Sequence, residues 1–123
     1  MRALIIDDSR AMRSILGRML RGLGFEVVEA ANGREAMRRL QETKKVELAL
    51  VDWNLPEMNG FEFIQAVRAE HSYDRVLLIM VTTETEMEQI SKALKAGANE
   101  YLMKPFTQEA ILEKLQMLGM AGS

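Results

Sequence analysis

Residues 46–60 read VELALVDWNLPEMNG, and the fold turns on how this stretch is understood. Leu48, Ala49, Leu50 and Val51 form a short apolar, β-prone run, suited to a strand buried in a sheet. The run ends directly on a carboxylate, Asp52, and turn residues follow at Pro56 and Asn59-Gly60. A charge at the margin of a core is costly unless it is paired or put to use. The rest of the chain must therefore supply partners for Asp52, or a task.

Outward from this stretch, strand-like and helix-like patterns alternate. Ala3-Leu4-Ile5-Ile6 is an apolar run bounded by Asp7-Asp8, and Met12, Ile15, Leu16, Met19, Leu20 and Leu23 then recur at helical spacing until Gly22 and Gly24. Phe25 to Glu29 is a second strand, Asn32-Gly33 a turn, and Ala36, Met37 and Leu40 mark a short helix. Phe61, Ile64 and Val67 share a helical face after the third strand. Val76 to Val81 (VLLIMV) is the most apolar run and predicts a central strand. A weaker helix carries Ile90, Ala93 and Leu94 and stops at Gly97; Asn99 to Met103 is a fifth strand. Ile111, Leu112, Leu115 and Leu118 form the last helix. Five such alternations predict an α/β fold, a parallel sheet with helices on both faces and right-handed crossovers. The expected organisation is one domain over residues 1–118 with a short tail over 119–123 and no output domain.

Composition narrows the function classes. The chain has 123 residues, 48% hydrophobic and 28% charged, which suits one soluble globular domain. A formal net charge of -2 offers no basic face for nucleic acid. No apolar run approaches the ~20 residues of a membrane span, and because Met1 leads straight into a strand-like run no signal peptide is expected. Cysteine is absent, which excludes disulfides and thiolate metal sites. A cytoplasmic location is expected.

Sites in such sheets form beyond the carboxyl ends of the strands, where the strand order switches. Strand one presents Asp7 and Asp8 there, strand three Asp52, strand four Thr82 and Thr83, and strand five Lys104 and Pro105. Converging carboxylates repel one another, and a hard divalent cation such as Mg²⁺ relieves that. Asp52, central among them, is a plausible nucleophile for aspartyl phosphate chemistry, with the metal and Lys104 neutralising the phosphoryl group. Taken singly, each group has a plainer explanation. Asp7-Asp8 suits a helix cap, Asp52 a turn, Thr82-Thr83 a helix start, and Lys104-Pro105 a strand end leading into a helix. Five complementary groups on four strand ends are hard to obtain from capping needs alone.

In that order and spacing, IIDDSR, LVDWNLPEMNG, IMVTTE and YLMKPF resemble the response-regulator receiver domain of two-component signalling, across essentially the whole chain. The resemblance implies a flavodoxin-like fold with strand order 2-1-3-4-5. It implies that Asp8 and Asp52 ligate Mg²⁺ together with the Asn54 carbonyl, and that Asp7 acts through water. Asp52 would be the phosphoacceptor. Lys104, with a cis bond to Pro105, would contact the phosphoryl group, and Thr82 would move onto it while Tyr101 turns inward. Trp53 matches a tryptophan of chemotaxis-type receivers, and Asn54 and Glu84 occupy the positions that tune dephosphorylation. Thr83 departs from the smaller residues usual there, which implies slower exchange with phosphodonors.

Partners implied by the resemblance are a sensor histidine kinase or histidine phosphotransfer protein, and a downstream protein such as a flagellar switch component. The latter would bind a face built from helix four, strand five and helix five. A monomer, or a weak dimer on activation, is expected. Two other readings stay open: a receiver cut from a larger regulator, and an aspartate-nucleophile phosphatase. The second is disfavoured because Asn54 stands where such enzymes carry a general acid. The protein is therefore not expected to be an enzyme, beyond catalysing its own phosphorylation and dephosphorylation. Met12, Met19, Met37 and Met117 fit helical core faces, Met87 and Met103 lie near the output face, and His71 reads as an exposed helix-end residue.

Overall fold

The computed structural model describes residues 1–43, 45–83 and 88–120. Strands β1 (Arg2–Ile6), β2 (Glu26–Ala30), β3 (Leu48–Asp52), β4 (Leu77–Thr82) and β5 (Glu100–Met103) alternate with five helices. These are α1 (Arg10–Gly22), α2 (Gly33–Glu42), α3 (Gly60–Ala69), α4 (Ile90–Ala96) and α5 (Gln108–Met117), with a 3-10 turn at His71–Tyr73. The strands pair in parallel in the order β2-β1-β3-β4-β5, the flavodoxin-like arrangement expected. The order reverses between β1 and β3, so the residues following those two strands flank the crevice there.

Alternation along each strand divides the core in two. Leu4 and Ile6, Ala49 and Val51, and Leu78 and Met80 pack with Phe63, Ile64 and Val67 of α3 and Ala36 and Leu40 of α2. Ala3 and Ile5, Leu48 and Leu50, and Ile79 and Val81 pack with Leu16 and Leu20 of α1 and Ile111 and Leu115 of α5. Met12, Met19 and Met37 pack partly buried against these clusters. Met117 does not: it is 67% exposed, because the buried stripe of α5 runs through Ile111 and Leu115 and leaves Met117 on the far side. Met87 lies outside the described residues, as does Glu84.

Three strands are offset by one residue from expectation. β2 runs Glu26–Ala30 rather than from Phe25 to Glu29, β4 runs Leu77–Thr82 rather than from Val76 to Val81, and β5 starts at Glu100 rather than Asn99. Thr82 is paired with Met103 across the ladder, and its carbonyl accepts from Lys104 N at 2.7 Å. Asn99 is instead a bracket: its Oδ1 accepts from Leu78 N and from the Arg68 guanidinium, both at 2.8 Å. Arg68 also donates to the carbonyls of Gly97, Tyr73 and Val76, tying the end of α3 to the start of β4 and to the connection before β5.

Asn32 and Asn59 were expected to mark turns, and they start helices instead. Each has extended backbone and a side chain accepting from the third residue on, and Asn59 with Glu62 forms a full capping box.

Candidate functional site

Capping accounts for none of the acids singled out at the strand ends. The N-cap of α1 is Ser9, whose hydroxyl accepts from Met12 N at 3.2 Å. α3 is capped by Asn59 and α5 by Thr107, while α4 follows Gln89 with no side-chain cap. Asp7, Asp8, Asp52 and Lys104 are thus not the caps of these helices.

Asp7, Asp8 and Asp52 each offer a carboxylate oxygen, and these three atoms lie within 4.8 Å of one another. Asp7 and Asp52 are buried and Asp8 is exposed, so the cluster opens to solvent on one side. Asp7 Oδ1 accepts from Ser9 N at 2.8 Å. Asp7 Oδ2 is buried and accepts no hydrogen bond; its nearest cation is Lys104 Nζ at 3.6 Å. Lys104 Nζ also stands 3.9 Å from Asp52 Oδ1, which accepts weakly from Asn54 N at 3.4 Å. The bond from Lys104 to Pro105 is cis. The Asp52 carboxyl is raised from 3.8 to about 6, chiefly by burial and next by Asp7, with a smaller push from Asp8, against the downward pull of Lys104 and the Asn54 backbone. Three acids with one nearby lysine and a buried oxygen lacking a donor form a set that fits a divalent cation of the oxygen-seeking kind.

Thr82 is fully buried, its hydroxyl donating to the Thr83 carbonyl at 3.3 Å. Tyr101, on the neighbouring strand, is half-buried against the same side of the sheet as Met80. The Trp53 ring is half-buried, 6.0 Å from that of Phe61. His71 is exposed, with a 3.4 Å contact to Asp74.

Residue-type reasoning missed the supports of this rim. Arg13 donates to the Asp7 carbonyl at 2.7 Å and to Glu29 Oε1 at 3.0 Å, fixing the first acidic loop against β2. Gly60 N donates to the Trp53 carbonyl, bringing α3 directly onto the end of β3. The only advance sign of the latter was a glycine following a capping asparagine.

The family model described as the response regulator receiver domain matches residues 3–116. The chain belongs to that family. This receiver is 45% identical over 117 residues to a chemotaxis protein CheY homolog of Campylobacter jejuni, covering 94% of this chain and 90% of that protein. It is 41% identical over 119 residues to chemotaxis protein CheY1 of Helicobacter pylori, covering 96% of each. Among solved structures, the chemotaxis response regulator CheY4 of Vibrio cholerae superposes with a TM-score of 0.87 at 38% identity, over 95% of this chain and 97% of that one. Among the described residues of the receiver, no helix is long and apolar enough to cross a membrane.

Proposed function

We propose that this receiver accepts a phosphoryl group on Asp52 from a phosphohistidine of a sensor kinase or histidine phosphotransfer protein, in a Mg²⁺-dependent step. The observation that carries the proposal is the Asp52 carboxylate, buried at a strand end within reach of two further acids and 3.9 Å from the Lys104 ammonium. Asp8, Asp52 and the Asn54 carbonyl would hold the metal, with Asp7 behind a water. When bound, the metal supplies positive charge against the transferring phosphoryl oxygens. An oxygen of Asp52 attacks phosphorus and the P–N bond to the donor imidazole breaks, its electron pair leaving with the nitrogen. Lys104 balances charge on the phosphoryl group, and the Thr82 hydroxyl becomes a donor to it.

Movement of Thr82 leaves space for Tyr101, altering the face of α4, β5 and α5 that a downstream protein reads. A chemotaxis-type regulator acting by binding rather than by an enzymatic activity of its own is the best-supported reading, because the chemotaxis relatives align over nearly the whole chain. The target would be a protein such as a flagellar switch component, and the working compartment the cytoplasm.

Trp53 is the sole tryptophan and sits beside Asp52, so its fluorescence has one source. Titration with Mg²⁺ and then beryllofluoride is expected to give two saturable responses, the second lost in Asp52→Asn. Absence of both, together with no labelling of the parent by acetyl phosphate, would leave a binding module independent of phosphorylation. Thr83→Ala is expected to label faster with acetyl phosphate, because a β-branched side chain beside Thr82 narrows the approach to Asp52. Equal rates in the two proteins would exclude that role for Thr83.

A further inference from the structure

Tyr101 stands on the edge strand of the sheet, where α5 can reach around to the opposite face. Lys114 of α5 does so: its Nζ lies 4.2 Å from the centroid of the Tyr101 ring. That ammonium is itself anchored, at 3.2 Å from Glu100 Oε1, and the same oxygen accepts from Tyr101 N at 3.0 Å. The two charged side chains are 22% and 15% exposed, so the pair is shielded well beyond an ordinary surface ion pair. The ring forms one wall of an open groove of about 560 Å³ lined by Ile90, Ser91, Leu94 and Lys95 of α4.

We infer that Lys114, oriented by Glu100, is a positioning residue that latches the Tyr101 ring at the wall of this groove and so sets the threshold of the switch. The inference rests on the proposed phosphoacceptor reading and names a regulator of it. A cation over a tyrosine face favours that ring position electrostatically, and the Glu100 carboxylate fixes the cation there. A ring moving inward has to leave the ammonium behind. The resting state is therefore favoured by an interaction lost on activation, which lowers the apparent affinity for any ligand of the active state.

The test uses the full chain labelled with 3-fluorotyrosine. The chain has two tyrosines, and Tyr73→Phe assigns the Tyr101 resonance. In metal-free Lys114→Met, which keeps an aliphatic stem, the Tyr101 fluorine is expected to become less exposed, read from its isotope shift between water and heavy water. The same variant should bind beryllofluoride about threefold to tenfold more tightly at fixed Mg²⁺, with Mg²⁺ affinity unchanged. Lys114→Arg, which preserves a cation over the ring, should restore parental behaviour. Glu100→Gln should move in the direction of Lys114→Met by a smaller factor, and it carries the test if Lys114→Met does not fold. Parental exposure of Tyr101 and parental beryllofluoride affinity in Lys114→Met, or in Glu100→Gln in its place, would overturn the latch. A parent protein that ignores beryllofluoride would instead sink the phosphoacceptor reading, while the metal-free exposure measurement would still decide whether Lys114 holds the ring.

Discussion

Asp52→Asn is expected to stabilise the metal-free protein at about pH 7 by roughly 2–3 kcal/mol while removing the phosphoacceptor. The Asp52 carboxyl is 11% exposed, faces two other acids and is raised from 3.8 to about 6. Between those values the folded chain binds a proton that the unfolded chain releases, so stability falls as pH rises through that window. The stability held by protonated Asp52 is fully present below 3.8 and lost as pH rises through about 6. Asparagine has the same shape and no charge, and it escapes this cost. The advantage of the variant should therefore be greatest at neutral pH and vanish near about pH 4. Urea denaturation of both proteins across this range, without metal, gives the difference curve. A pH-independent difference would contradict an electrostatic origin.

Added Mg²⁺ should narrow this difference. Saturation at about 100 times the dissociation constant stabilises the parent by about 2.7 kcal/mol, and a variant lacking one ligand gains less. The same burial that makes Asp52 costly in the empty cluster makes it responsive to a cation.

Gly60→Ala is expected to cost about 3 kcal/mol and to weaken Mg²⁺ binding as well. A Cβ at Gly60 would stand 2.6 Å from the Asp52 carbonyl oxygen, 3.0 Å from Trp53 Cα and 3.2 Å from the Trp53 carbonyl oxygen. All three are backbone atoms, so no flexible side chain can yield. Alanine would gain up to about 1 kcal/mol in helix propensity at the first residue of α3. The backbone overlap outweighs this, because relief requires moving the end of β3 or the start of α3. Either movement displaces Asp52 relative to Asp7 and Asp8. Denaturant midpoints would measure the first effect and Trp53 titration with Mg²⁺ the second. A parental midpoint would refute the close approach, and destabilisation with parental metal affinity would mean that the strain relaxes away from the rim.

The alternation of five strands and five helices was legible because burial imposes local periods, and VELALV and VLLIMV carry theirs within a few residues. Acids at the ends of strands one and three were legible for a related reason: a carboxylate at the limit of an apolar run conflicts visibly with its surroundings. Whether those acids cap helices was less legible. Ser9 and Asn59 were as available as Asp8 and Asp52, and only the chain path decides which side chain reaches an orphan N–H. Thr82 joined its strand because Met103 pairs with it, a partner 21 residues away that no local window contains.

The contacts that tune the rim belong wholly to tertiary structure. Arg13 meets Glu29, Lys104 meets Asp7 and Asp52, and Lys114 meets Glu100 and Tyr101, across separations set by strand order and crossovers. In the amino-acid sequence Arg13 and Lys114 look like any other solvent-facing charges, and only Lys104 stood out, by its place at a strand end; residue type specifies charge and reach but not direction. Composition and periodicity were sufficient for the layers, and the motif set for the kind of chemistry at their edge. The proton affinity of Asp52 and the resting position of Tyr101 arise only on folding, because both depend on water excluded and charges gathered by segments distant along the chain.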